Sequence, residues 1–228
     1  MSKQSHPDQP TYHPSRHRMR TFSDNRQAFF EGSDTPTDYL ERCLDTIAQR
    51  EPTIKAWVPL NEDNARQAAE ESTKRYRSGK PLSPIDGMPI GIKDVLQTRD
   101  MPTELGSPIF KGRETHMDSA SVNALRLAGA PIVGKTVTTE FAFVVPGPTT
   151  NPFDSNATPG GSSSGTSAAV GAGMVPAALG NQVVGSIIRP AAFCGNFAIK
   201  PTLGALHGGE GLSLSQLHLG VHCLLYTS

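Results

Sequence analysis

Helical and strand-like spacings of hydrophobic residues alternate over most of this chain. The first helix is predicted to begin with Thr35 as its cap and Pro36 in its first turn, and to end at residues 50–52. One face of that helix carries apolar side chains at helical spacing, namely Tyr39, Leu40, Cys43, Leu44 and Ile47. Further helices are predicted over residues 62–77, from Asp118 or Ser119 to Leu127, and over residues 166–174.

Short apolar runs between these helices predict strands. The runs are residues 54–60, the apolar part of 86–95, 131–133, 176–179 and 197–199. Residues 134–136 are predicted to turn away from the third strand. The apolar residues after that turn, Phe141, Phe143, Val144 and Val145, are predicted to lie in the core. Helices and strands that alternate in this way indicate an α/β fold.

Composition and charge narrow the class of protein. The 228 residues contain 21 Lys plus Arg and 21 Asp plus Glu, so no net field would attract a nucleic acid. Three widely spaced cysteines favour a reducing compartment. The N-terminal residues lack the apolar core of a signal peptide, and no apolar run approaches the ~20 residues of a membrane span. We therefore predict a cytoplasmic protein without a nucleic-acid or membrane partner.

Residues 159–196 form a nearly charge-free stretch dense in Gly, Ala and Ser. Its apolar pieces AAV, MVPAAL and VVGSII predict a buried site rather than a linker. The glycine spacing after Gly160 is that of a phosphate-binding loop, but Thr166 stands where that motif requires lysine. The surroundings of Ser186 do not match a Gly-x-Ser-x-Gly nucleophile elbow. A serine nucleophile with a lysine base remains as the chemistry that the stretch favours.

Lys93 ends the predicted apolar strand and is the candidate base. The strand alone favours a side chain that reaches solvent or pairs with Asp94. Burial away from carboxylates would instead lower the pKa of Lys93, because desolvation penalises the charged amine. A neutral lysine can activate a serine hydroxyl, which is a poor nucleophile without a neighbouring base.

Four segments resemble the amidase-signature hydrolases, in the order in which that family has them. They are GMPIGIKD (87–94), GAPIVGKTVTTEFA (129–142), TPGGSSSGTSAAV (158–170) and GSIIRPAAFCGNFAIKPT (185–202). The resemblance extends from about Thr35 to Gly208. It implies the N-terminal part of that α/β fold, with a mixed, largely covered β-sheet and helices on both faces.

The resemblance also implies a Ser–cis-Ser–Lys triad. By position, Lys93 is the base, Ser162 is the relay on a cis peptide bond, and Ser186 is the nucleophile. Ser186 would attack an amide carbonyl while Ser162, whose hydroxyl both donates and accepts, passes the proton to neutral Lys93. This chemistry needs no cofactor and no metal.

The resemblance also implies that the turn before the nucleophile supplies the donors for the oxyanion. These donors are the backbone N–H groups of Val183, Val184, Gly185 and Ser186. The family usually has glycine at the position of Val184. If that position needs a positive φ, valine distorts the turn; if its φ is ordinary, Val184 only narrows the site. Asn181 stands where the family usually has threonine.

Family members continue well beyond the position of Thr202, which predicts that this chain is a C-terminally truncated member. We expect a disordered polar tail over residues 1–30, an incomplete amidase-signature domain over 31–210, and a doubtful tail over 211–228. The last residues of that tail, 221–228, show neither helical nor strand spacing.

The expected activity is hydrolysis of a non-peptide carboxamide to a carboxylate and ammonia or an amine, with a small-molecule amide as substrate. Two alternatives stay open: the glutaminase-type A-subunit of a tRNA-dependent amidotransferase, and a catalytically weak or inactive remnant. The sequence also leaves open whether the chain forms a homodimer.

Overall fold

The computed structural model of the protein describes residues 21–207 and 218–223. The α-helices in this part of the chain are α1 (Phe22–Glu31), α2 (Pro36–Ile54), α3 (Glu62–Arg77), α4 (Ala120–Leu127), α5 (Ser164–Gly171) and α6 (Ile188–Phe193). The strands are β1 (Trp57–Leu60), β2 (Ile90–Lys93), β3 (Ile132–Thr136), β4 (Ala177–Asn181), β5 (Phe197–Ile199) and β6 (Leu219–Cys223).

The strands form one mixed sheet in the order β1-β3-β2-β4-β6-β5. β2 runs parallel to both of its neighbours, β3 and β4, whereas β1, β6 and β5 are antiparallel to the strands beside them. Parallel neighbours end at the same edge of a sheet. The last residues of β2 and β4, Lys93 and Asn181, therefore meet there.

Helices cover the sheet on both faces, because successive strand residues point to opposite sides. Val133 and Ala178 join a core formed with residues of α2, α3 and α5. Ile132 and Leu179, one position away, join a second core with Val122 of α4. The predicted α/β class, mixed sheet and two covered faces are confirmed.

The helix α2 follows its predicted pattern and extends further. The Thr35 side chain accepts a hydrogen bond from the N–H of Asp38 at 3.1 Å, and the whole predicted apolar face is buried. The helix continues past the expected end to Ile54. There the Glu51 carboxylate accepts the N–H groups of Ala56 and Trp57, both at 2.9 Å, and directs the chain into β1.

The prediction of a disordered tail over residues 1–30 is wrong for residues 22–30, which belong to α1; residues 1–20 lie outside the described residues. Phe22 and Phe29 are buried. Their rings meet Tyr39 edge-on, with centroids 5.9 and 6.0 Å apart, and Phe29 also meets Tyr76 at 5.4 Å. Aromatic burial therefore holds a helix whose other positions are mostly polar.

Two predictions for residues 134–145, which follow α4, are also wrong. Residues 134–136 do not turn away but complete β3, where they pair with β2 and with β1. Residues 141, 143, 144 and 145 are exposed rather than in the core. Phe141 lies within a short 3₁₀ helix, Glu140–Ala142, and the other three residues follow it in a loop.

The doubtful tail contains a strand of the sheet. β6, residues 219–223, lies between β4 and β5 and pairs with both, so the prediction of a segment without strand structure is wrong there. Residues 208–217 and 224–228 lie outside the described residues. Pairing with strands that are distant in sequence gives β6 a place that its local pattern does not show.

Gly165 of α5 has no room for a side chain. A Cβ atom there would overlap the carbonyl oxygen of Ala56 and the backbone nitrogen of Val137. We expect Gly165→Ala to lower the free energy of unfolding by about 1–3 kcal/mol, since overpacking against backbone forces a shift of α5. Urea denaturation measures the loss, with Asn123→Ala on an exposed position of α4 as control. Equal midpoints for both variants would contradict this close packing.

Candidate active site

Lys93, at the end of β2, lies in the interior. Its side chain is fully buried, and so are those of its two hydrogen-bond partners, Ser162 and Asn181. Nζ lies 2.7 Å from Ser162 Oγ and 2.6 Å from Asn181 Oδ1. The first contact joins two of the residues that the sequence proposes as a triad. The solvent-reaching conformation that the strand alone favours is wrong.

Burial lowers the pKa of Lys93 well below its ordinary value, because the charged amine loses its hydration and gains no counter-charge. Asp94, the neighbouring carboxylate, is engaged elsewhere: it pairs with Lys135 at 2.8 Å, and both side chains are buried. This ion pair leaves Lys93 beside neutral partners. A neutral amine in contact with a serine hydroxyl has the protonation state of a general base.

Ser162 follows a cis peptide bond between Gly161 and Ser162, as the resemblance implies. The Arg189 guanidinium donates two hydrogen bonds to the Gly161 carbonyl, from Nε at 3.0 Å and from Nη2 at 2.7 Å. Arg189 belongs to α6, directly after the Ser186 turn. It therefore ties the loop that carries Ser162 to the segment that carries Ser186.

Ser186 lies next to these residues and is partly exposed. Its carbonyl accepts the N–H of Ser163 at 3.2 Å, so the turn is attached directly to the residue after Ser162. Among the described residues, no hydrogen bond joins the Ser186 and Ser162 side chains. The structure thus brings Lys93 and Ser162 into contact and places the backbone of Ser186 beside them.

The backbone N–H groups of residues 183–186 make no hydrogen bond to any other residue that the structure describes. Val184 has an ordinary φ and its side chain is 92% exposed, so valine does not strain this turn. The next two N–H groups, of Ile187 and Ile188, are occupied by Gln182 Oε1 at 2.8 and 2.9 Å. Among the described residues, the run of N–H groups without an acceptor therefore ends at Ser186.

Two polar residues of the site were not predicted as site residues. Asn181 contacts Lys93, and a signal existed, because it ends β4 as Lys93 ends the parallel strand β2. His222 of β6 is buried, and burial, followed by the proximity of Lys93, lowers its pKa to about 3. Its Nδ1 lies 3.2 Å from Asn196 Oδ1. Nothing local in the sequence places His222 there, since it comes from the segment expected to lack structure.

Across residues 21–207 and 218–223, no helix has both the length and the apolar character to cross a bilayer. The same residues contain no group of three or more His, Cys, Asp or Glu side chains arranged to hold a metal ion.

Known proteins match this chain over most of its length. The A-subunit of glutamyl-tRNA(Gln) amidotransferase from Chloroflexus aggregans is 42% identical over 207 residues, which are 86% of this chain and 42% of that protein. The chain thus spans about two fifths of the length of the curated relatives it matches.

Solved structures match over a similar extent. One, described as an unexpected vestigial protein complex that reveals the evolutionary origins of an s-triazine catabolic enzyme, has a TM-score of 0.83 at 32% identity, over 90% of this chain and 47% of that chain. Native peptide amidase from Stenotrophomonas maltophilia has a TM-score of 0.76 at 30% identity, over 86% of this chain and 42% of that chain.

The profile of the family described as Amidase matches residues 38–221, which include Lys93, Ser162, Ser186 and most of the strand β6. The matched range is most of the chain, and the solved structures share its sheet and helices. This chain therefore belongs to the amidase family, whose signature the four sequence segments carry.

Proposed function

We propose that this chain carries the catalytic part of a carboxamide hydrolase that works through a serine acyl-enzyme. Lys93 is the base, Ser162 the relay and Ser186 the nucleophile. The observation that carries the proposal is the 2.7 Å contact between Ser162 Oγ and Lys93 Nζ, whose pKa burial lowers well below its ordinary value. The substrate is a small amide, and the products are a carboxylate and ammonia or an amine.

The proposed proton transfers run from Ser186 through Ser162 to Lys93, and the contact between Ser162 and Lys93 supports the second of them. Ser186 Oγ forms a bond to the amide carbon while its proton passes to Ser162, and the proton of Ser162 passes to Lys93 Nζ. The oxyanion is held by N–H groups of residues 183–186. The tetrahedral intermediate then expels the amine, which takes a proton back through Ser162. Water attacks the resulting ester by the same relay and releases the carboxylate and Ser186.

A glutaminase role in a tRNA-dependent amidotransferase is the second candidate. The names of the curated relatives support it, since those at 36–44% identity are A-subunits of glutamyl-tRNA(Gln) amidotransferase. Such a role requires partner subunits that accept the ammonia. Glutamine hydrolysis that appears only when the chain co-purifies with a larger complex would favour this candidate over a stand-alone amidase.

An inactive remnant is the third candidate, and the length of the chain supports it. The curated relatives are more than twice as long as the matched part, so more than half of each relative has no counterpart in the match. A cooperative thermal melt without any turnover would favour the remnant.

We expect a serine-directed fluorophosphonate to label Ser186 alone in the purified 228-residue chain. Ser186 Oγ displaces fluoride from phosphorus with the same proton relay that acylation requires, so labelling reports the triad without a known substrate. Peptide mapping by mass spectrometry identifies the labelled residue.

Two variants serve as controls. Ser186→Ala should take up no label. Ser164→Ala, which changes a buried serine of α5 outside the triad, should be labelled as the parent is. A parent chain that remains unlabelled, or that is labelled equally at several serines, would contradict an assembled triad in this protein.

A further inference from the structure

Asn181 is the second buried partner of Lys93, and its chemistry differs from that of Ser162. Its Oδ1 atom lies 2.6 Å from Lys93 Nζ, and its side chain is 2% exposed. A carbonyl oxygen of an amide accepts hydrogen bonds and cannot donate them. An N–H of Lys93 must therefore point at Asn181. The hydroxyl of Ser162 can act in either sense, so Asn181 is the partner that decides the orientation of the amine.

A neutral lysine amine has two N–H bonds and one lone pair. With one N–H directed at Asn181 Oδ1, the lone pair can face the Ser162 hydroxyl, which lies 2.7 Å away. We propose that Asn181 is a positioning residue that holds Lys93 with its lone pair toward Ser162, so that the proton moves from Ser162 to Lys93. This inference rests on the proposed function.

The same contact gains strength once the proton has moved. Hydrogen bonds from a charged amine to a carbonyl oxygen are stronger than those from a neutral one. Asn181 thus stabilises protonated Lys93 in a site where burial disfavours it. A threonine, which the family usually has at this position, offers one hydroxyl that can rotate between donor and acceptor roles. The amide of Asn181 fixes the acceptor role.

The charged and titratable groups around Lys93 do not replace Asn181 in this role. His222 of β6 is a buried titratable side chain whose pKa is lowered by burial and then by Lys93, and its pKa of about 3 keeps it neutral at neutral pH. Asp94 and Lys135, on the chain next to Lys93 and on β3, are paired with each other. The hydrogen bonds of Lys93 at neutral pH are therefore those with Ser162 and Asn181.

The test measures Lys93 directly, so it does not depend on turnover. Protein labelled with ¹³C at lysine Cε is titrated by NMR, and the Lys93 signal is assigned by its loss in Lys93→Met. Asn181→Asp should raise the pH at which Lys93 titrates by roughly 1–3 units, because a carboxylate in contact favours the ammonium form. Asn181→Leu should lower that pH, since it removes the acceptor. Asn181→Thr should stay between the parent and Asn181→Leu.

The rate of fluorophosphonate labelling of Ser186 supplies the second readout. Asn181→Leu should slow labelling roughly 10- to 100-fold, the range expected for a lost hydrogen bond to a charged group, and Asn181→Thr should recover part of that rate. In Asn181→Asp, the acid limb of the pH–rate profile should move to higher pH by the same amount as the NMR titration.

The matched control is Asn151→Asp, which makes the same chemical change at another buried asparagine. Asn151 donates to the carbonyls of Thr158 and Phe193 and does not contact Lys93. Its variant should leave the Lys93 titration where it is in the parent. Should Asn181→Asp fail to fold, the leucine and threonine variants still decide the question.

An unchanged Lys93 titration in Asn181→Leu and Asn181→Asp would overturn the role of Asn181, whether or not the chain has activity. A Lys93 titration that responds, in a parent that shows no label at Ser186, would uphold the contact and overturn the proposed function of this chain. The two failures are therefore separable.

Discussion

Replacing Lys93 with methionine should slow fluorophosphonate labelling of Ser186 by about 10²- to 10⁴-fold at neutral pH, the range that a general base contributes. Methionine fills a similar volume but cannot accept the proton of Ser162. In the parent, Lys93 accepts a proton only while it is neutral, so labelling should be retained above the lowered pKa of Lys93 and lost as the pH falls through it. In Lys93→Met this acid limb should disappear.

Unfolding cannot explain such a loss. The pKa of Lys93 is lower in the folded state than in the unfolded chain, so the unfolded chain binds the additional proton between those two values. Lys93 therefore costs stability at neutral pH, and Lys93→Met should melt at the parent's temperature or above it. Lys74→Met, which changes an exposed lysine of α3, is the matched control for label and melt. Labelling of Lys93→Met at the parent's rate would exclude Lys93 as the base.

Asp94→Leu should lower the free energy of unfolding by about 3–5 kcal/mol, because it leaves Lys135 buried without its counter-charge. The pair is closed to solvent, with a 2.8 Å contact between Lys135 Nζ and Asp94 Oδ1. Lys135 keeps two neutral acceptors, the Pro102 carbonyl at 3.0 Å and Thr103 Oγ1 at 2.8 Å, which do not balance a full charge. Urea denaturation at neutral pH measures the change.

The double variant Asp94→Leu, Lys135→Met is the matched control. Burial raises the pKa of Asp94 and lowers that of Lys135, so each group is shifted toward its neutral form despite its partner. This cost of desolvation disappears when both charges are replaced by apolar side chains, and the double variant should regain much of the lost stability. If single and double variants unfold at the same urea concentration, the charge of Lys135 is not the cause.

Local patterns predicted the elements whose boundaries depend on their own residues. α3 has the predicted bounds of residues 62–77, and β5 those of 197–199, because a glycine follows the helix and a short apolar run marks the strand. The position of β6 could not be predicted in this way. Its neighbours β4 and β5 are distant in sequence, and their pairing decides its place.

The candidate site likewise contains contacts that the sequence predicted and contacts that only the pairing of distant elements reveals. The resemblance proposed Lys93 and Ser162 as a pair, and the structure places them in contact. The strand pattern around Lys93 favoured exposure, because an apolar run does not show which element will close over its end. A prediction that Asn181 contacts Lys93 required knowledge that β2 and β4 are parallel neighbours. Whether valine strains the turn depended on the φ angle of Val184, which only the folded backbone provides.

The position of β5 has a consequence for handling the isolated protein. β5 is the last strand of the sheet in the described part of the chain, and Phe197 and Ile199 are 51% and 60% exposed. A sheet edge with exposed apolar side chains is a template for a strand from another molecule. Concentrated solutions of the 228-residue chain therefore favour aggregation by strand addition at β5, and rate constants measured on dilute solutions describe the separate molecule.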